Sequence, residues 1–112
     1  MKNRHVLVTG GAGFVGSTLA NALAPENDVL ALDDLHLGTP DNLDDGVTFV
    51  EGSALDDGWP ADVDVVFHLA ALSSRAMLEE NPQRGTRVNV EGMVNVIERT
   101  REHADTVVYA GT

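Results

Sequence analysis

The chain has 112 residues, the length of a single domain with one hydrophobic core. Its 43% hydrophobic and 22% charged residues fit a globular protein and exclude a disordered or collagen-like chain. The formal net charge is −11, with 18 Asp and Glu against seven scattered Lys and Arg. Because such a charge repels phosphates and anionic headgroups, neither nucleic acid nor a membrane surface is an expected partner.

The absence of cysteine excludes disulfides, thiolate metal sites and thiol nucleophiles, and it permits a reducing cytoplasm. The apolar run before Thr9 has only three residues, too few for a signal sequence, and no stretch approaches the ~18 apolar residues of a membrane span. We therefore predict a cytoplasmic protein. The acids are mostly Asp and Lys2 is the single lysine. This balance resembles proteins from salt-rich cytoplasm, and an ordinary acidic surface is the alternative.

Short apolar runs predict five strands, and two amphipathic stretches predict helices. The first helix carries Val15, Leu19 and Leu23 and ends before Pro25; the second carries Val90, Met93, Val94 and Ile97 and runs to about His103. In chain order the elements are a strand at 6–8, the first helix, strands at 29–32, 47–50 and 64–69, the second helix, and a strand at 106–110.

This order and the apolar strands predict one α/β domain over residues 1–112, an open parallel sheet with helices on its faces. Right-handed crossovers from a central first strand then give the strand order 3-2-1-4-5.

A glycine loop joins the first strand to the first helix, with Gly10, Gly13 and Gly16 at its fixed positions. Gly10 permits a tight turn, Gly13 lets the backbone approach a pyrophosphate, and Gly16 lets the helix lie close to the sheet. The helix N-terminus then offers its unpaired N–H groups to the phosphates. The alternative is a turn that only connects strand to helix. A phosphate loop of the G-x-x-x-x-G-K-[ST] type is excluded, because no lysine lies near.

An acid follows at the end of the second strand, where Asp33 lies 23 residues after Gly10. This is close to the ~20 residues expected for the carboxylate that holds an adenosine ribose. The carboxylate would repel a 2′-phosphate, and residues 34–38 hold no Arg or Lys to bind one, so NAD is favoured over NADP. A solvated strand end or a cap is the alternative for Asp33, and also for Asp34.

Together these motifs resemble the amino-terminal part of the extended short-chain dehydrogenase/reductases, the NAD-dependent nucleotide-sugar epimerases and dehydratases, above all the UDP-glucose 4-epimerases. The segments that carry the resemblance are 9–16, 32–35, 67–71, Asn89 with Gly92, and 109–112. The resemblance implies a three-layer, Rossmann-type doubly wound sheet, incomplete at its carboxy-terminal side. It also implies NAD as cofactor, a nucleotide-sugar substrate and a homo-oligomer, in which the second predicted helix joins a dimeric helix bundle.

The resemblance also assigns cofactor-binding residues. Phe14 and Val15 would flank the pyrophosphate, residues 33–38 would line the ribose pocket, and residues 69–71 would follow the nicotinamide. The full set is Gly10, Gly13, Phe14, Val15, Gly16, Asp33, Asp34, Leu35, Gly38, Ser53, Ala54, Leu69, Ala70, Ala71 and Asn89. The alternatives are a small-residue strand exit packed on a helix at 70–71 and a helix-surface asparagine at 89.

The chain departs from the family after the third strand, where relatives often have Gly-Asp and this chain has Gly52 followed by Ser53. The family's aspartate accepts a hydrogen bond from the adenine amino group. Ser53 is a shorter, neutral acceptor, so we expect looser recognition of the base, unless Asp56 or Asp57 substitutes.

The family's catalytic Tyr-x-x-x-Lys pair is missing from these 112 residues. The single tyrosine, Tyr109, has no residue four positions later, and the single lysine is Lys2. Thr112 aligns with the catalytic Ser/Thr of the family, so the chain stops where the catalytic half would begin. We expect the NAD-binding part of a nucleotide-sugar epimerase that is inactive by itself; the alternative is a non-catalytic NAD(P)-binding or redox-sensing module. The four histidines fall in different elements and predict no zinc site.

Overall fold

The computed structural model describes residues 1–36, 38–70, 82–83 and 87–109. Its sheet has five strands in the order β3-β2-β1-β4-β5, which confirms the predicted order. All the pairings in this sheet are parallel. The strands are β1 (His5–Thr9), β2 (Asp28–Asp33), β3 (Val47–Glu51), β4 (Val65–His68) and β5 (Thr106–Tyr109).

Two helices lie where the sequence predicts them, α1 (Phe14–Leu23) and α2 (Gly92–Thr100). A π-helical segment, Arg87–Glu91, leads into α2, and a 3-10 turn, Pro40–Asn42, lies between β2 and β3. The predicted end of the second helix at His103 was wrong by three residues. The carbonyl oxygen of Thr100 accepts the N–H groups of both His103 and Ala104, which closes the helix in a turn.

The core has one cluster on each face of the sheet. On the α1 face, Val6, Val8, Ala20, Val29, Ala31, Val47 and Val65 pack together. On the α2 face the cluster is Leu7, Leu32, Ala54, Trp59, Val63, Val66 and Val96. The central strands β1 and β2 are therefore covered on both faces, as their unbroken apolar runs predict.

Most of the buried residues in the two helices are small. The buried residues of α1 are Gly16, Ser17 and Ala20, whereas Val15, from the predicted apolar stripe, is 65% exposed. The buried residues of α2 are Gly92, Val96 and Thr100. Small side chains let a helix axis come close to the sheet. Val96 of α2 is fully buried, whereas Val94 and Ile97 on the same helix are 56% and 38% exposed.

The connection between β3 and β4 is fastened to α2. The guanidinium of Arg99 stacks on the Trp59 ring, 4.4 Å from its centroid, and donates to the Trp59 carbonyl oxygen. One turn earlier, the amide of Asn95 donates to the carbonyl oxygens of Ala54 and Asp56 at 2.7 and 2.8 Å. These contacts hold the segment that follows β3 against α2.

Candidate nucleotide-binding site

The strand order places a switch point beside β1. The chain moves from β1 to β2 and β3 on one side and continues with β4 and β5 on the other. In open α/β sheets, ligands bind in the crevice outside the carboxyl ends of the strands at such a point. Here that crevice lies where β1 ends at Thr9 and β4 ends at His68.

The glycine loop has the geometry that its spacing predicts. Gly10 has φ +69°, in the left-handed region that favours glycine, and its N–H donates to the Leu32 carbonyl oxygen at 2.7 Å. A Cβ on Gly16 would overlap the carbonyl oxygen of Gly10. A Cβ on Gly13 would meet only that oxygen, at 3.5 Å, an ordinary contact. Gly13 is therefore the loop position whose outer side is open to a ligand.

Two glycines have roles that the sequence prediction did not give them. Gly16 makes its close approach to the backbone of the loop itself, and Gly11 lies closest to the sheet. A Cβ on Gly11 would stand 2.6 Å from the Cβ of Ala31 in β2. The prediction that Gly16 sets the distance between helix and sheet was therefore incomplete, because the glycine pattern alone does not distinguish packing on the loop from packing on a strand.

The start of α1 is open. Gly13 is its N-cap residue, and no side chain in the described part of the chain caps the helix there. The two residues predicted to flank a pyrophosphate, Phe14 and Val15, are 87% and 65% exposed. A helix start with backbone donors and a positive dipole end is a suitable place for phosphate oxygens.

Asp33 connects the glycine loop with the segment after β2. Its Oδ2 accepts the N–H of Ala12 at 2.9 Å, and its Oδ1 accepts the N–H of Leu35 at 2.8 Å. The residue is only 8% exposed, so it is not a solvated strand end. Each carboxylate oxygen has a second lone pair, which could accept a hydrogen bond from a ribose hydroxyl.

The segment after Asp33 folds back onto the glycine loop. The Ala12 carbonyl oxygen accepts the N–H of Thr39 at 3.1 Å and the side-chain amide of Asn42 at 2.9 Å. A Cβ on Gly38 would lie 2.5 Å from the Ala12 carbonyl carbon, so only glycine allows this approach. Leu35 has φ +63°, a left-handed conformation that costs a leucine energy. From the sequence, Asn42 is predicted only as a turn former, like Pro40 two residues before it, and its contact with the glycine loop is not predicted.

Ser53 and Ala54, the two predicted cofactor-binding residues after β3, are both engaged within the fold. The Ser53 hydroxyl accepts the N–H of Leu55 at 3.1 Å, and its own N–H donates to Asp56 at 2.8 Å. Ala54 is 4% exposed and belongs to the core cluster on the α2 face. Asp56 is thus engaged in the turn, and Asp57 is exposed.

A buried polar group lies at the exit of β4. The hydroxyl of Thr9 lies 2.7 Å from Nδ1 of His68 and accepts the N–H groups of Leu69 and Ala70 at 3.0 and 3.1 Å. Burial lowers the pKa of His68 from its ordinary value. Neither Thr9 nor His68 is among the site residues predicted from the sequence. Each ends a strand next to a predicted cofactor segment, and that position is the signal that could have found them.

Of the remaining predicted site residues, two are described by the structure and two are not. Asn89 and Asp34 are described: Asn89 is half-buried in the π-helical segment, and Asp34 is exposed with its Oδ1 accepting the N–H of His36 at 3.0 Å. Ala71 and Thr112 lie outside the described residues. Among the residues described, no three His, Cys, Asp or Glu side chains come together as a metal site would need.

The model of the NAD-dependent epimerase/dehydratase family matches residues 6–112 of the sequence. The chain belongs to this family. The matched range includes the glycine loop, Asp33 and the exit of β4, as the resemblance of the motifs predicts.

Three known proteins illustrate the similarity. The UDP-glucose 4-epimerase of Mycolicibacterium smegmatis is 40% identical over 108 residues, which are 87% of this chain and 34% of that protein. The solved epimerase Mth375 of Methanothermobacter thermautotrophicus has a TM-score of 0.92 and 34% identity, over 99% of this chain and 36% of that one. The Bordetella bronchiseptica enzyme WbmF in complex with NAD+ has a TM-score of 0.86 and 31% identity, over 96% and 36%.

The chain thus spans little more than a third of the length of these relatives. In the described part of the chain, no helix combines the length and apolar character that crossing a membrane requires.

Proposed function

We propose that this chain forms the NAD-binding part of a nucleotide-sugar epimerase of the UDP-glucose 4-epimerase type. The observation that carries the proposal is the hydrogen bond from Ala12 to Asp33, which joins the glycine loop to the end of β2 at the carboxyl edge of the sheet. A loop with an open Gly13 and a helix start suits the pyrophosphate, and the neighbouring buried carboxylate suits the ribose.

The residues present fit a dinucleotide. The open side of Gly13 and the uncapped start of α1 would receive the phosphates, and Asp33 would accept from the ribose hydroxyls. The switch-point crevice at Thr9 and His68 would then lie beside the nicotinamide half. When bound, NAD supplies the hydride acceptor and donor that nucleotide-sugar epimerisation needs.

The sugar substrate is proposed on the strength of the relatives. The Mycolicibacterium smegmatis relative is a UDP-glucose 4-epimerase, and its similarity covers 87% of this chain. The same similarity covers only 34% of that protein, so most of that enzyme lies outside the comparison. A nucleotide sugar is therefore the proposed substrate class of the intact enzyme.

Calorimetric titration of the 112-residue chain with NAD+ tests the proposal. Gly13→Ala is the decisive variant, because its Cβ makes only an ordinary contact within the fold and extends into the proposed pyrophosphate position. We expect unchanged folding and a loss of affinity of at least about tenfold, since the backbone could no longer approach the phosphates. The control is Gly46→Ala, whose Cβ would meet Ala24 at 3.5 Å.

Two results would contradict the proposal. One is a parent chain that does not bind NAD+ at millimolar concentration. The other is a Gly13→Ala variant that binds NAD+ as tightly as the Gly46→Ala control.

A further inference from the structure

The Thr9 hydroxyl is a hydrogen-bond centre at the switch point. It accepts the Ala70 N–H at 3.1 Å and shares the Leu69 N–H with its own residue's carbonyl oxygen, at 3.0 and 3.1 Å. Its third neighbour is Nδ1 of His68, at 2.7 Å. Thr9 has no exposed surface and His68 is 6% exposed, so water does not compete for these contacts.

The donors and acceptors determine the state of His68. A hydroxyl has two acceptor lone pairs and one hydrogen to donate. Both lone pairs of Thr9 face backbone N–H groups, so its hydrogen points to Nδ1 of His68. This arrangement favours an unprotonated Nδ1 and a neutral ring with its proton on Nε2. If Nδ1 carried a proton, the hydroxyl would face three donors and its own hydrogen would have no acceptor.

The backbone that this centre holds is part of the candidate site. A Cβ on Gly10 would lie 3.0 Å from both the Ala70 nitrogen and the Leu69 carbonyl carbon, so the glycine loop packs directly against the β4 exit. The carboxyl ends of β1 and β4 flank the switch point, where a ligand of this fold binds. A shift of Leu69 and Ala70 therefore changes the crevice itself.

We propose that Thr9 and His68 are a pair of positioning residues that fix the Leu69–Ala70 backbone for cofactor binding, and that they do so only while His68 is neutral. The proposal rests on the proposed function for its binding consequence. Its structural part, the tautomer of His68 and its coupling to two amides, stands without any cofactor.

Among the described residues on the elements beside His68, we find no charge that would compensate its protonation. In register with it, β1 contributes Thr9 and β5 contributes Tyr109, which is 57% exposed. The residues that α2 buries are Gly92, Val96 and Thr100, all uncharged. Burial lowers the pKa of His68, in agreement with a neutral ring near pH 7.

The first test is nuclear magnetic resonance of the labelled 112-residue chain without cofactor. We expect ring nitrogen shifts of the Nε2–H tautomer at pH 8. On acidification, the amide resonances of Leu69 and Ala70 should move with the same midpoint as the His68 ring. An Nδ1–H tautomer, or amides that do not follow the titration of His68, would overturn the proposal even if NAD+ binds.

The second test measures NAD+ affinity in variants at pH 8. Thr9→Val removes the hydroxyl at nearly constant volume and should weaken binding roughly tenfold or more, because the Ala70 N–H loses its acceptor and the Leu69 N–H keeps only the Thr9 carbonyl oxygen. Thr9→Ser should restore the affinity to within about threefold of the parent. The matched control is Thr100→Val, which removes an equally buried hydroxyl that donates to Val96 within α2. Its affinity should equal that of the parent chain.

The third test is the pH profile of NAD+ affinity. Binding by the parent should weaken as His68 becomes protonated, and His68→Asn should remove this dependence, because Oδ1 of asparagine can replace Nδ1 as a non-titrating acceptor. His36 is the exposed histidine on the segment after β2, so the comparison is made in a His36→Asn background.

The outcomes separate the two proposals. A parent chain that does not bind NAD+ at any pH contradicts the proposed function, and the resonance experiment still decides on the pair. Normal NAD+ affinity of Thr9→Val, or an unchanged pH profile in His68→Asn, contradicts the positioning role. If Thr9→Val does not fold, the Thr9→Ser variant and the two pH experiments decide the question.

Discussion

Oδ2 of Asp33 accepts the N–H of Ala12 at 2.9 Å, across 21 residues of chain. The other oxygen of the same carboxylate accepts the N–H of Leu35, in the segment that folds back over the glycine loop. One buried side chain therefore sets the relative position of both segments proposed to hold the adenosine end of the cofactor. Asp33 therefore organises the site in the chain without cofactor.

This relationship predicts that Asp33→Asn destabilises the chain without cofactor. An amide keeps one acceptor oxygen and turns an NH2 group toward the second backbone donor, which leaves a buried N–H unsatisfied. We expect a loss of about 1–3 kcal/mol in the free energy of unfolding. Urea unfolding measures it, with Asp44→Asn as the exposed control of equal charge change. Equal stability of the two variants would show that the carboxylate is dispensable for the fold.

A second prediction concerns cofactor choice. The anchored carboxylate of Asp33 stays close to the ribose position, and residues 34–46 contain no Arg or Lys that could neutralise a 2′-phosphate. We therefore expect NAD+ to bind at least about tenfold more tightly than NADP+, which is ~1.4 kcal/mol. Calorimetric titration of the parent chain with both cofactors measures the ratio.

The parent chain is the informative sample for this ratio. Asp33→Ala would also remove the acceptor of two backbone N–H groups and would weaken both cofactors through the loop. Equal affinity for NAD+ and NADP+ in the parent would refute the argument from charge repulsion.

Stability should also depend on pH through His68. Burial lowers its pKa in the folded chain, whereas the unfolded chain regains the ordinary value of about 6.5. Below that pH the unfolded state binds more protons, so the free energy of unfolding falls on acidification until the folded ring titrates as well. Urea unfolding between pH 8 and pH 5 measures this. His68→Asn should flatten the profile in this window, whereas the exposed control His103→Asn should leave it unchanged.

The sequence predicted the sheet well, because each strand is an apolar run that ends at a turn-forming or polar residue. The alternation of strands and helices then left one strand order under the right-handed crossover rule. The helix faces were harder to predict. In α1, Gly16, Ser17 and Ala20 are buried, and Val15 is exposed. Hydrophobicity alone does not show that close packing on a sheet favours small residues over large ones.

The site was predicted as a set of positions but not as a network. The glycine spacing and the separation of Gly10 from Asp33 located the loop and the acid. The contacts of Thr9 with His68 and of Asn42 with Ala12 connect residues that are far apart in the sequence. Such contacts depend on register and on backbone direction at the strand ends, and a single sequence does not contain either.

A fourth prediction is that the 112-residue chain does not interconvert UDP-glucose and UDP-galactose. Its single tyrosine, Tyr109, and its single lysine, Lys2, cannot form a Tyr-x-x-x-Lys pair. Positioned acid–base groups contribute ~10²–10⁴-fold to a rate, and substrate orientation contributes more. A coupled assay with saturating NAD+ measures turnover, with the Gly13→Ala variant as the background. Turnover by the parent chain above that background would contradict the prediction and support another acid–base residue.

The last prediction is association of the chain with a second copy of itself at high salt. The outward face of α2 and its preceding segment exposes Val90 and Val94 by 58% and 56%, and every residue of the edge strand β5 is exposed. Exposed apolar surface and an open strand edge favour pairing with another chain. The net charge of −11 opposes this at low salt, but the Debye length falls from ~10 Å at 0.1 M to ~3 Å at 1 M.

Sedimentation velocity should therefore show a shift from monomer toward dimer as salt rises. Val94→Glu should reduce the shift, and Ala22→Glu, which adds the same charge on an exposed position of α1, should not. A monomer at every salt concentration would mean that these surfaces do not associate.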